Sequence, residues 1–146
     1  MAAEDLTRRV ADELEIRNVL AMLAVLSDSG DLDEYASLFT EDAHWEMKID
    51  ADMADPSPTV DGRANILAAA KQRRASKTVG PESHNYHCIS STAVKLDRDT
   101  ASTTTYLIYL KNARGAPEIA MFRIYRDQFV RKRDGWKVLV RYVDLG

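Results

Sequence analysis

The chain has 146 residues, 45% of them hydrophobic and 29% charged, with a formal net charge of -3, one cysteine and six glycines. That length suits one folding domain with a real core, and the balance excludes a disordered or collagen-like chain. The net acidity gives no electrostatic case for nucleic acid, and the single Cys88 excludes an internal disulfide.

From Ala3 to about Ser27 the spacing predicts one long helix. Leu14, Ile16, Val19, Leu20, Leu23 and Leu26 form its apolar stripe, and Arg8, Arg9, Glu13, Glu15 and Arg17 its wet face. The same turn spacing delivers Asp28 to the end of the greasy side, where a carboxylate does nothing for packing. After Gly30 a short second helix is expected, with Asp31 and Asp33 near its start and Tyr35, Leu38 and Phe39 inward. Thr40, Glu41 and Asp42 break it, and Trp45 opens a short strand to Ile49. Residues 49–62, IDADMADPSPTVDG, carry no period. They read either as the rim of a site or a partner contact, or as a loose surface loop, and Gly62 reads as a helix entrance.

Helical character returns from Arg63 to Lys77 through Ile66, Leu67 and Ala70, and Gly80-Pro81 ends it. The remainder reads as strands: His84 to Leu96, Thr100 to Lys111 with its alternating threonines, Glu118 to Arg131, and Trp136 to Val143. Turns are expected at Asp97 to Asp99, Asn112 to Pro117 and Arg133-Asp134-Gly135. Two basic clusters, Lys71, Arg73, Arg74 and Lys77, and Arg131, Lys132 and Arg133, lack interleaved aromatics and read as solvated faces.

Helices first and antiparallel strands after is an α+β pattern, with helices on one face of a strongly curved sheet and a concave pocket between them. The other face needs covering, so a homodimer or larger homo-oligomer is expected. No apolar run approaches the ~18 residues of a membrane span, and the start MAAEDLTRR lacks the apolar segment of a secretory signal. The expected location is the cytoplasm.

The run SDSGDLDEYASLFTEDAHW, with its acid, Gly-Asp pair and L-F-T-x-D-A-x-W ending, resembles the N-terminal signature of the SnoaL-like branch of the NTF2-like superfamily. The segment YRDQFVRKRDGWKVLVRYV resembles the closing hairpin of the same family. The resemblance runs from about Asp12 to Asp144 and implies a single small cone-shaped α+β domain. His87, in HCISSTAV, matches the family's H-x-x-x-N-x-x-V strand with Ser91 in place of the Asn. In catalytic members such as hexachlorocyclohexane dehydrochlorinase and scytalone dehydratase, a His at this position pairs with an Asp near the end of the first helix. Asp28 matches that Asp. Two departures stand out: Leu23 where many relatives carry a Tyr, and Arg123 where they carry a Gly.

The chemistry has its own logic. A neutral imidazole in an apolar pocket can take a proton from carbon, and a carboxylate on its other nitrogen fixes the tautomer and stabilises the imidazolium. His87 as base and Asp28 as its orienting acid would make a cofactor-independent lyase or isomerase acting on a small, largely apolar molecule, needing neither metal nor organic cofactor. The bland alternative is a hydrogen-bonded strand histidine and an ordinary helix-end acid. Strand alternation puts His87 with Ile89, Ser91 and Ala93, and turns Cys88 the other way as a small buried hydrophobe. His84 suits a rim or loop, and His44 faces away from Trp45.

Three further residues are candidates for substrate contact. Trp45 could form a pocket wall or anchor the core. Tyr106 could donate a hydrogen bond to a substrate oxygen or simply pack. Arg141 could stabilise charge on a leaving group, or form a salt bridge to Asp127 or Glu46. Arg123 could add a cation to the pocket or a charge to the surface. His44, His84 and His87 do not fall at zinc-ligand spacings, and no phosphate loop or G-x-S-x-G elbow occurs. Two other functions use the same pocket: a non-catalytic ligand-binding or assembly module, and a ketosteroid-isomerase-like reaction with Asp28 as base and a Tyr as oxyanion donor.

Overall fold

Twenty-seven residues, Ala3–Ser29, form helix α1. In a computed structural model, which describes residues 2–48 and 58–145, it lies against a six-stranded curved sheet. Ile16, Val19, Leu20, Leu23 and Leu26 are buried at its interface, as the 3–4 spacing demands. Leu14, expected in that stripe, is 63% exposed, and the inward position one turn earlier belongs to Asp12. Asp12 is buried because it is satisfied: Arg131 donates to both of its oxygens at 2.7 and 2.6 Å, and the Trp136 indole donates at 3.0 Å. These donors hold its pKa below the usual carboxylate value, Arg131 contributing most. Arg131 is therefore an inward-turned tether, contrary to its reading as a solvated charge.

Helix α2 (Leu32–Ser37) starts at Asp31, whose side chain accepts the Glu34 N–H at 2.8 Å, an ordinary N-cap. Strand β1 (Phe39–Met47) follows at once, six residues before the expected start at Trp45. Helix α2 thus ends before Thr40, Glu41 and Asp42, which lie within β1, where pairing is irregular between Phe39 and His44 and both acids are exposed. The short strand β2 (Thr59–Asp61), not anticipated, pairs antiparallel with β1. Most of the acidic and proline-rich stretch, residues 49–57, lies outside the described residues. Helix α3 (Arg63–Ala75) begins after Gly62, which stands at φ 87°, and buries Ile66 and Ala70.

Strands β3 (Tyr86–Asp97), β4 (Thr100–Lys111), β5 (Glu118–Lys132) and β6 (Gly135–Asp144) form the long part of the sheet. The order is β2-β1-β6-β5-β4-β3, with every neighbouring pair antiparallel except β1 with β6. This is the α+β architecture expected, with Phe39, Phe129, Trp136 and Val138 completing the core beneath α1. No helix among the described residues is long and apolar enough to cross a membrane.

One irregularity decides which side chains meet the helices. In β3 the register shifts between Ser90 and Ala93, and Ser91 stands at φ 49°. A bulge of this kind puts two residues opposite one and reverses the facing of everything beyond it. His87 and Ile89 point inward before it, and Thr92, Val94 and Leu96 after it. Ser91 and Ala93 are exposed, so they do not share a face with His87 as plain alternation implied. Cys88 does point away from His87, but the outer face is open and Cys88 is exposed rather than buried.

Candidate active site

Sheet register builds the site rung by rung. His87, Tyr109 and Met121 lie opposite one another across β3, β4 and β5, and Ile89, Leu107 and Arg123 form the next rung. Thr105, Tyr125 and Val143 form a third, and Thr103, Asp127, Arg141 and Trp45 a fourth. All of these face the helices, because residues two apart on a strand share a face. Between them and α1, α2 and α3 lies a cavity of about 250 Å³ with mostly apolar walls, into which His87 reaches.

Asp28, on the last turn of α1, meets His87 from behind. Its Oδ1 lies 2.6 Å from His87 Nδ1, and its Oδ2 accepts the His87 backbone N–H at 2.8 Å. One carboxylate thus holds both the strand and the ring, with the two side chains 7% and 17% exposed. An ionised carboxylate at Nδ1 selects the tautomer protonated there, which leaves Nε2 as the lone-pair nitrogen. Tyr109 flanks the imidazole, with ring centroids 4.8 Å apart, and its hydroxyl donates to the Thr78 carbonyl. Burial raises the Tyr109 pKa.

The end of α1 that carries Asp28 is itself anchored. Its last turn has no basic residue. The Arg74 guanidinium instead donates to the carbonyls of Leu26, Ser27 and Gly30 at 2.7–2.9 Å, that of Leu26 also accepting the Gly30 N–H. Arg74 reaches them past Gly80, at φ 106°, where an added Cβ would sit 2.9 Å from Arg74 Cγ. Neither arginine of this pair is a solvated charge: Arg74 caps α1, and Arg73 lines the cavity with its guanidinium carbon 6.0 Å from the Trp45 ring centre.

Trp45 and Arg141 both line the cavity. Arg141 is 4% exposed and donates twice to Asp127, at 2.8 and 2.9 Å, while its guanidinium lies 4.1 Å from the Tyr125 ring centre. Despite the opposing effect of burial, Asp127 holds its pKa above the ordinary arginine value. Burial pushes Tyr125 well above the usual phenol range, so its hydroxyl stays protonated as a donor. Tyr106 is placed elsewhere: it lies on the outer face of the sheet, 42% exposed, with its ring against Phe122. Alternation sends Thr105, Leu107 and Tyr109 inward and Tyr106 out.

Arg123 is on the cavity wall. His44 faces away from Trp45, bonded to Asp61 at 2.6 Å and Glu46 at 3.1 Å, which raise its pKa, Asp61 most. His84 sits in the turn before β3 at φ 55°. Among the described residues no group of three or more His, Cys, Asp or Glu is placed to hold a metal ion. The sequence reading missed Tyr35, Arg73, Tyr109 and Tyr125 as cavity residues. Arg73 was findable, since it follows Ile66 and Ala70 by seven and three residues and so shares their helix face.

Residues 8–142 match the family described as the SnoaL-like domain. No curated protein matches the chain. Among solved structures, an NTF2-like protein with a cystatin-like fold from Novosphingobium aromaticivorans superposes with TM-score 0.81 and 25% identity, covering 97% of this chain and 86% of that one. A protein of unknown function with a cystatin-like fold from Nostoc punctiforme gives 0.76 and 17%, covering 93% and 92%. ActVI-ORFA from Streptomyces coelicolor gives 0.69 and 23%, covering 90% and 94%.

Proposed function

The chain belongs to the SnoaL-like domain family, and from that premise we propose that it is a cofactor-independent lyase or isomerase that removes a proton from carbon in a small, largely apolar molecule. The observation that carries this reading is the Asp28–His87 clasp at the wall of an apolar cavity. His87 Nε2 takes the proton, and Asp28 stabilises the imidazolium that results. The C–H electron pair then becomes a new π bond. In elimination a leaving group departs with its own pair; in isomerisation the proton returns at another carbon. Trp45, Tyr125 and Arg141 line the same cavity, and in this reading Trp45 is an apolar wall while the Tyr125 hydroxyl and the Arg141 guanidinium stabilise developing negative charge. The isomerase variant with Asp28 as base fits less well, because both Asp28 oxygens already accept from His87.

The test is proton exchange. Ring compounds that raise the melting temperature are incubated with the protein in heavy water, and their C–H signals are followed by NMR. Catalysed loss of one C–H signal, or appearance of an alkene product, is the expected result. Binding without exchange or product across steroids, polyketides and halogenated rings would make the protein a binding module.

We also assign self-association to the outer face of the sheet. The register gathers Tyr86, Leu110, Ile119, Ile108, Phe122 and Tyr106 there, and Tyr86, Ile119 and Phe122 are 44%, 68% and 42% exposed. Exposed apolar surface of this kind marks an interaction site. Sedimentation at micromolar concentration is expected to give a dimer or larger species that Phe122→Lys dissociates. A wild-type monomer would overturn the assignment.

A further inference from the structure

Three guanidiniums, those of Arg73, Arg123 and Arg141, line the cavity. Among the described residues only Arg141 is matched by a carboxylate, that of Asp127. Asp28, the other acid of the site, is occupied by the two N–H groups of His87. Among the described residues Arg73 and Arg123 have no carboxylate partner. The Arg123 head donates from Nη1 to the Phe122 carbonyl at 2.7 Å, but its Nε is buried with no acceptor among the described residues.

A cation withdrawn from water without a counter-charge is costly, and so is a buried donor without an acceptor. Arg73 and Arg123 are half-buried on the cavity wall, so both costs arise there in part, and a permanent anion relieves both. A neutral substrate with an acceptor oxygen would satisfy the donor but leave the cations without a counter-charge. The remaining walls are mostly apolar, among them Leu23, Met47, Leu107 and Val143. Resting on the reading of this cavity as the active site, we infer that the substrate is a compact ring acid: an apolar ring system bearing one carboxylate, held by Arg123 and Arg73, with its reacting C–H toward His87.

The probes are single- and two-ring carboxylates, each paired with its own primary carboxamide of the same shape, measured by titration calorimetry on the intact protein. The best acid is expected to bind about 10- to 100-fold more tightly than its amide, as a charge-assisted bond to a desolvated guanidinium implies. Its affinity should fall as salt rises while that of the amide does not. Arg123→Gln and Arg73→Gln should each remove most of the acid's advantage over its amide. Equal binding of acid and amide by the wild type overturns the inference, as does absence of binding by every acid or an acid preference that survives both substitutions. Proton exchange on the same acids is scored separately, so bound acid without exchange counts against the catalytic reading and not against this one.

Discussion

His87→Gln is expected to lower turnover by about 10²–10⁴-fold, the usual contribution of a positioned general base, while stability changes by no more than about 1 kcal/mol. The two halves of that expectation come from the two bonds of Asp28. Its Oδ1 serves the ring, but its Oδ2 serves the backbone N–H of residue 87, a bond that does not depend on the side chain. Removing the imidazole therefore removes the base and leaves the helix-to-strand link in place. Asp28→Asn should lose comparable activity by a different route. The amide presents one acceptor where the carboxylate has two, so either the ring or the backbone loses its partner, and the imidazolium loses its counter-charge. Steady-state kinetics of both variants on a substrate found by the exchange screen, with melting curves alongside, decide the matter. Full activity in both would remove the dyad from the mechanism.

Asp127→Asn is expected to cost about 3–5 kcal/mol, because it strands the Arg141 guanidinium in the interior without its counter-charge. Asp127 is 1% and Arg141 4% exposed, and two bonds below 3 Å join them across adjacent strands. For a chain of this length such a loss corresponds to a fall in melting temperature on the order of 10 °C. Replacing both partners, as Asp127→Leu with Arg141→Met, should recover most of the stability, since apolar groups of similar volume carry no desolvation penalty. The double variant is expected to fold yet turn over poorly, having lost the cation beside Tyr125. Urea denaturation of the single and double variants separates these contributions. A single variant within about 1 kcal/mol of wild type would show that water reaches the pair.

What could be read from the sequence follows the range of the interactions involved. The β4 strand was legible from Thr100 to Lys111 because alternation and β-branching act locally. Asp28 and His87 could be singled out because an acid at the end of an apolar stripe and a histidine in a strand are conspicuous locally. Their resemblance to a known pair linked them. Arg74 and Arg131 were misread because their partners lie 44 to 48 and 119 residues away, and a basic run looks the same whether it is solvated or turned inward. Tyr106 was a candidate on residue type alone, and only the burial of Thr103 and Thr105 shows which residues of that strand face the helices. Cys88 was misjudged because burial of the outer face depends on whatever covers it, which residue type does not reveal.

The bulge at Ser91 divides β3 into two segments of opposite phase. The segment before it carries the imidazole, and the one after it lies against α1, where Arg17 donates to the Thr92 carbonyl at 2.9 Å. In-frame loss of one codon at this point would leave one residue opposite Thr105, with His87 still paired to Tyr109 and Thr92, Val94 and Leu96 still facing the helices. Within a lineage, one residue gained or lost here changes the parity of the sequence and not the set of side chains that the chamber meets.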